Sequence, residues 1–304
     1  MQRFTTTKIF TALFSFAFLL LSSSTLSALP DEKMSPKDLI AKHLDAIGTS
    51  EARSAITSRV AMGTTKVTFR SGGVSYGEGK VVLASDGIKN LIGMAFNSTE
   101  YPHEKVGYDG KEVSIGYLKP GIRSNLGRFI ESNKQIFTQG LFGGVLTSSW
   151  PLLDPAVRQA KLEFGGTKKV EGKETYVLRY YAQKGSDIKV TLFFDKETFR
   201  HIRTEYYQTI AQRQGGAVGG AIGSTGDPRG AASAGQLENR YTLTEDFGDF
   251  KTESGLTLPH SYKIQFWSET AQGSVRNLWE MRLTQFGFNQ KFDEGAFDVN
   301  KPNG

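Results

Sequence analysis

Apolar residues recur at two different periods along this chain, and the change falls near Arg59. Before it, Leu39, Ile40, His43, Leu44 and Ile47 return near helical spacing. Ser35-Pro36-Lys37-Asp38 supplies an N-cap hydroxyl, a proline at the first helical position and a carboxylate at the third, and Gly48 stops the segment. Ser50 to Ile56 adds a second short helix. His43 lies on the apolar stripe and reads as a core histidine rather than a ligand.

From Arg59 onward apolar and polar residues alternate. Val60 to Phe69 leads into Gly72-Gly73, and Lys80 to Ala84 is followed by Asp86-Gly87. Lys105 to Tyr108 meets Asp109-Gly110 before Glu112 to Tyr117. Lys161 to Val170 turns at Glu171-Gly172 into Thr175 to Tyr181, and Asp187 to Phe194 precedes Thr198 to Tyr207. Arg240 to Phe250 turns near Ser254-Gly255 into Leu256 to Trp267, and Gln272-Gly273 opens Ser274 to Phe288. A polar residue followed by glycine between alternating runs is a hairpin signal. At least ten strands are expected, arranged as one antiparallel meander, so the fold class is mainly β. A sheet that long curls or closes.

Two stretches interrupt the alternation. Ile122 to Gly140 carries Leu126, Phe129, Ile130 and Phe137 on roughly one helical stripe, then runs through Leu141-Phe142-Gly143-Gly144 to Trp150-Pro151. It reads either as a helix packed on the sheet with a glycine-hinged connector, or as a plug or lid hinged at the two glycines over a cavity. On the second reading Leu126, Phe129, Ile130, Phe137, Leu141, Phe142 and Trp150 line or gate that cavity, and Phe142→Asp is expected to weaken ligand retention with the fold intact. The other stretch, Gln214 to Gln236, is rich in Gly, Ala and Ser and reads as a flexible loop. No Gly-Lys-Ser/Thr follows its glycines, so a phosphate-binding loop is not indicated.

The first 28 residues change the picture of where the chain works. Arg3 and Lys8 precede an apolar run from Ile9 to Leu21, and Ser22 to Ala28 is small and polar. That is the layout of a cleavable secretory signal. The run is shorter than the ~20 residues a spanning helix needs. The expectation is an exported protein with one domain over residues 29–304 and no integral span after cleavage. There is no cysteine, which points to a periplasm rather than a disulfide-rich extracellular space and leaves no site for a lipid anchor. Lys and Arg exceed Asp and Glu by six, and by four without Arg3 and Lys8. The charges alternate in sign along the strands, which argues against nucleic acid. Asn97-Ser98-Thr99 matches a glycosylation sequon that this compartment would leave unused.

Catalytic signatures are missing. His43, His103, His201 and His260 stand far apart, without the spacing of a zinc helix, and no Gly-x-Ser-x-Gly elbow occurs. Asp187, Asp195, Glu197 and Glu205 sit beside Lys184, Lys189, Arg200 and Arg203, so cross-strand ion pairs explain them better than a glycosidase pair. No cofactor, metal or enzymatic activity is expected. An outer-membrane barrel fits poorly: the chain after the signal starts with a helix, contains another, and finishes Lys301-Pro302-Asn303-Gly304 rather than on a terminal aromatic.

Four stretches resemble the LolA/LolB-type lipoprotein-carrier superfamily of Gram-negative envelopes. They are the opening Leu39 to Gly48 helix, with Glu51 to Ile56 and the strand from Arg59; Leu192-Phe193-Phe194-Asp195-Lys196-Glu197-Thr198; Asp249 to Pro259, with its Gly255-Leu256-Thr257-Leu258-Pro259 hairpin; and Phe288-Asn289 to Phe297. In order, they span nearly the whole chain after the signal. The resemblance implies a strongly curved antiparallel half-barrel closed by a few helices around an apolar cavity for acyl chains. This chain departs from the carriers in length, in the 214–236 insertion and in the extended 122–153 region, and no functional residue of the family is transferred to it.

Burying one acyl chain at ~0.8 kcal/mol per methylene gives on the order of 10 kcal/mol before association costs, so such a protein needs no conspicuous polar motif. The expected function is a soluble, non-catalytic periplasmic binding or carrier protein whose partner is a lipid or an acylated protein. The alternative is an envelope protein-docking or stress-sensing module that uses the same shell without an exchangeable ligand.

Overall fold

The computed structural model describes residues 34–70, 73–154, 158–182, 187–211 and 238–301. The expected signal at 1–28 and the loop at 214–236 lie outside the described residues.

Helix α1 (Pro36–Ile47) starts where Ser35 accepts the Asp38 amide and ends at Gly48; α2 (Ser50–Ser54) is capped by Thr49. Strands β1 (Ser58–Arg70), β2 (Val74–Asp86), β3 (Lys89–Phe96), β4 (His103–Tyr108) and β5 (Val113–Ile115) follow. Then come α3 (Asn125–Ser132), α4 (Gln135–Thr138) and a 3-10 turn at Gly144–Leu146. The chain resumes as β6 (Lys161–Val170), β7 (Lys173–Tyr181), β8 (Lys189–Asp195), β9 (His201–Ala211), β10 (Glu238–Glu253), β11 (Leu256–Thr270) and β12 (Gly273–Phe288). Two expected hairpins turn through consecutive left-handed residues, Glu171-Gly172 and Ser254-Gly255, the tight turn that matches strand twist.

All twelve strands form one antiparallel sheet, in the order β5-β4-β3-β2-β1-β12-β11-β10-β9-β8-β7-β6. This corrects the simple meander. Two meandering arms are joined where the first strand pairs with the last, Lys66 opposite Glu280 and Val67 opposite Trp279. The chain passes from one free edge, β5, to the other, β6, through the helical segment, so no hairpin turn records that step. β3 has no counterpart among the expected strands: polar Asn90 sits in phase with Ile92, Met94 and Phe96, while apolar Leu91 and Ala95 fall on the opposite phase, which blurs the alternation.

The sheet is open but strongly curled. Asn90 of β3 donates to the Phe137 carbonyl, and Tyr180 of β7 donates to Gln139. Those strands stand eight places apart, which in a flat sheet is about 38 Å, yet Phe137 and Gln139, with one residue between them, reach both. The inner face carries the core: Leu83, Ile92, Leu192, Tyr206, Leu243, Tyr262, Ile264 and Trp279 are buried. The outer face shows cross-strand charges, as in the row Arg203–Asp246–Lys263–Glu280–Lys66–Glu78. No helix among the described residues is long and apolar enough to cross a membrane.

The expected single stripe over Ile122 to Gly140 is broken into α3 and α4. Asn133 interrupts it: at φ −132° its side chain donates back to the Phe129 carbonyl and across to Gln208 of β9. A polar side chain that satisfies a helix carbonyl from within competes with continued helix.

Candidate functional site

The segment from Ile122 to Leu153 lies against the inner face and fills it. All seven residues expected to line or gate a cavity fall in one core cluster. Leu126, Phe129 and Ile130 form the buried side of α3, Phe137 belongs to α4, and Leu141, Phe142 and Trp150 lie on the connector. Each is at most 5% exposed. Phe137 stacks on Phe142 at 4.9 Å, and Trp150 stacks on His201 at 4.7 Å. Phe142→Asp would therefore bury a carboxylate and cost folding stability, so it cannot separate retention from folding as expected.

What the sequence reading missed is how the segment is fastened. Arg59, 2% exposed on β1, donates through Nη1 to the carbonyls of Val145 at 2.5 Å and Thr147 at 3.4 Å. Burial away from any carboxylate pulls its guanidinium down to about 10. Asn90 adds a bond to Ser149 Oγ at 3.3 Å, and Ser85 Oγ accepts the Ser148 amide at 2.8 Å. Arg158 holds the carbonyls of Thr138 and Ser149. These bonds satisfy backbone groups that a non-repetitive buried segment would otherwise leave unpaired.

Two buried carboxylates grip the segment, one near its start and one at Gly143. Glu245 of β10 accepts the Gly143 amide at 2.7 Å, the Tyr206 hydroxyl at 2.6 Å and the Tyr262 hydroxyl. Glu104 of β4 accepts the Tyr101 hydroxyl and, at 2.9 Å, that of Ser124, whose oxygen also caps α3 by accepting the Gly127 amide. Burial pushes both carboxyls up to about 7, against the opposing pull of these hydrogen bonds. A signal for them existed: Glu245 shares strand parity with Leu243 and Phe247, and Glu104 with Val106 and Tyr108, so each is an acid on an apolar face.

Two histidines complete the interior. His43, the expected core histidine, is 1% exposed; its Nδ1 donates to the Phe199 carbonyl and its Nε2 accepts Trp150 Nε1–H at 3.2 Å. Burial lowers it to about 4. His201 is fully buried beside it and held well below the usual value for the same reason. Its Nδ1 faces Gly144, where a Cβ would come within 3.0 Å of both that nitrogen and Phe247 Cζ. Among the described residues no group of three or more His, Asp or Glu side chains is placed to hold a metal ion.

Of the carboxylates weighed for glycosidase chemistry, Asp195 accepts the Glu197 and Thr198 amides in a turn. Glu205 lies on the outer face 3.8 Å from Lys168, which was not among the expected partners, and 3.9 Å from Arg203 of its own strand; the cross-strand partner of Arg203 is Asp246. Lys184 lies outside the described residues.

Beside α3 the interior opens into a pocket of about 480 Å³. Phe129, Tyr241 and Phe266 form its aromatic floor, with Phe129 and Phe266 5.5 Å apart, and Asn125, Arg128, Gln208 and Ser268 stand around it. That volume lies within the range of small-molecule sites. Phe129 is thus the one expected gate residue that reaches this opening.

No protein-family model and no curated protein matches the chain. Among solved structures it is similar to a LolA superfamily protein from Nitrosomonas europaea, 12% identical over 88% of this chain and 99% of that one, at a TM-score of 0.44. It is also similar to a domain described as an outer membrane lipoprotein-sorting protein from Vibrio parahaemolyticus, at 15% identity, 86% and 98% coverage, and a TM-score of 0.39. A DUF1329 family protein from Desulfovibrio piger gives 10%, 86%, 97% and 0.37. The superfamily suggested by the residues is thus also among the structural neighbours. Likeness of this order assigns no site and no function.

Proposed function

We propose that this is an exported, non-catalytic binding protein of a Gram-negative-type periplasm, and that its half-barrel takes up a lipid or the acyl chain of a lipidated polypeptide. The observation that carries the reading is the Ile122–Leu153 segment, an apolar occupant seated on the inner face and fastened by side-chain clasps rather than by strand pairing. The clasps at Arg59, Glu104 and Glu245 hold backbone and cap groups and belong to no strand ladder, so displacing the segment unpairs no strand. An acyl chain in the place of Phe137, Leu141 and Phe142 within the core cluster restores the apolar burial lost when they move. The pocket over Phe129, Tyr241 and Phe266 is the point at which such a chain enters.

A second reading has its own support. The seven interior residues already cover one another, which suits a protein-docking or sensing module with no exchangeable ligand. Native mass spectrometry with lipid extraction, on protein isolated from periplasm without detergent, separates the two. A stoichiometric, defined lipid is expected. A protein that stays apo after incubation with phospholipid and lipopeptide refutes uptake and leaves the docking module.

A further inference from the structure

The outer face of the sheet is not uniform along its strands. In the row Arg203–Asp246–Lys263–Glu280–Lys66–Glu78 the signs alternate from strand to strand, with Arg203 2.5 Å from Asp246 and Lys263 3.8 Å from Glu280. Four residues along the same strands, about 13 Å closer to the hairpin tips, the register sets up a different row: Tyr207, Thr242, Trp267, Arg276, Arg70 and Val74. It contains no carboxylate. Lys189 extends it beyond Tyr207, and Tyr76 flanks Val74 with Lys66 over its ring at 5.2 Å.

These side chains face solvent. Val74 is 69% exposed, Tyr76 72% and Trp267 40%. A tryptophan on the outer surface of a strand beside an exposed valine and tyrosine forms an unburied apolar cluster in a chain whose other two tryptophans are fully buried. The cations beside it are unneutralised: among the described residues neither Arg70 nor Arg276 makes an ion pair, and Arg276 donates to the neutral Gln265 at 2.6 Å. Of the nearby acids, Glu205 lies near Lys168 and Arg203, and Glu269 stands one row nearer the tip, opposite Arg240, which lies 3.8 Å from Glu238.

We propose that this outer surface, at the tips of β11, β12, β1 and β2, docks on an anionic phospholipid surface. The chemistry is complementary on two counts. Trp and Tyr rings are favoured at headgroup depth, where an apolar body meets a hydrated edge. Arg and Lys are drawn to anionic headgroups. Arg70, Val74, Trp267 and Arg276 line none of the depressions that open farther along the outer face at Lys66, Glu78, Lys263 and Gln265, so an extended sheet of charge suits them better than an enclosed peptide. Alternation along β11 also turns Phe266 and Ser268 into the inner pocket while Trp267 points outward, so docking would bring the mouth of that pocket to the lipid. The docking inference holds whether or not the interior takes up a chain.

The test is partitioning of the purified chain onto vesicles of an equimolar phosphatidylglycerol–phosphatidylcholine mixture and onto pure phosphatidylcholine, at low and high salt. Trp267 is the only exposed tryptophan of the three, so its emission and its quenching by acrylamide report the contact directly. Binding to the anionic vesicles alone is expected, weakened by salt, with Trp267 shielded. R70Q/R276Q should lower partitioning about fivefold per arginine, and R70K/R276K should restore it, which excludes a folding defect. Any apolar background from Ile9–Leu21, where that stretch is retained, is common to every variant and cancels in the comparison. Partitioning unchanged in R70Q/R276Q, Trp267 equally quenched with and without vesicles, or capture by polyglutamate but not by vesicles would overturn the proposal, the last in favour of an acidic protein partner.

Discussion

Glu245→Gln tests whether the glycine hinge rests on a buried carboxylic acid. Glutamine keeps the shape and can still accept the Gly143 amide and the Tyr262 hydroxyl, but it does not ionise. In the folded chain Glu245 holds its proton up to about 7, against 4.5 for an ordinary glutamate. At about 1.4 kcal/mol per pH unit, that interval amounts to about 3 kcal/mol. The sign follows from linkage. A carboxyl raised on folding contributes its stability fully below 4.5, and the contribution is lost as pH rises through about 7. E245Q should therefore match the parent near pH 4.5 and gain on it steadily, reaching an advantage of about 3 kcal/mol above pH 7, or about 6–12 °C in Tm for a domain of this size.

The raw pH profile of the parent would hide this effect. His43 is lowered to about 4 and His201 well below its usual value. Stability from these depressed histidines is present above 6.5 and lost as pH falls, opposite in sign to the two glutamates. Between 4.5 and 6.5 the two pairs nearly cancel, so the quantity to measure is the difference between variant and parent. Urea unfolding across that range gives it, with the slope in denaturant checked for constancy. A difference that stays flat with pH would mean water reaches the carboxylate, and the seated segment would not be the resting state.

Three further outcomes follow from the same geometry. Arg59→Gln should speed amide exchange across Val145–Thr147, with a global loss below the 2–6 kcal/mol (roughly) of two unsatisfied buried carbonyls, because the unfolded chain also stops gaining guanidinium hydration; unchanged exchange would remove Arg59 as a clasp. Gly144→Ala should destabilise by more than Gly121→Ala. Both glycines are left-handed, at φ +49° and +76°, and share a backbone cost of about 1–2 kcal/mol, but only at 144 does the new Cβ meet His201 and Phe247. Equal losses on urea unfolding would refute the packing argument. Ser124→Ala removes a cap worth about 1 kcal/mol and a donor that holds the Glu104 carboxyl down, so its cost should be larger at pH 8 than at pH 5.

The interior was half legible. Amphipathic spacing identified the apolar residues that meet there, from Leu126 to Trp150, because side-chain parity on a helix or strand is a local property. The clasps were passed over although Glu104 and Glu245 sit in phase with apolar neighbours. On an edge or exposed strand such an acid is simply solvated, and sequence does not say which face is covered. Arg59 carried even less signal, since it begins its strand beside Ser58.

The sequence by itself determined nearly all the strands, their turns and the capped opening helix, since alternation, turn glycines and N-caps act over a few residues. It also marked the 122–153 stretch as a departure from the sheet. Only the tertiary structure decided that β1 closes on β12 across more than 200 residues, that the departing segment lies on the inner face, and that two carboxylates and a guanidinium are stripped of water beneath it. Those outcomes depend on which surfaces meet. Burial, and the displaced ionisation that comes with it, is set by neighbours distant in the chain rather than by local pattern.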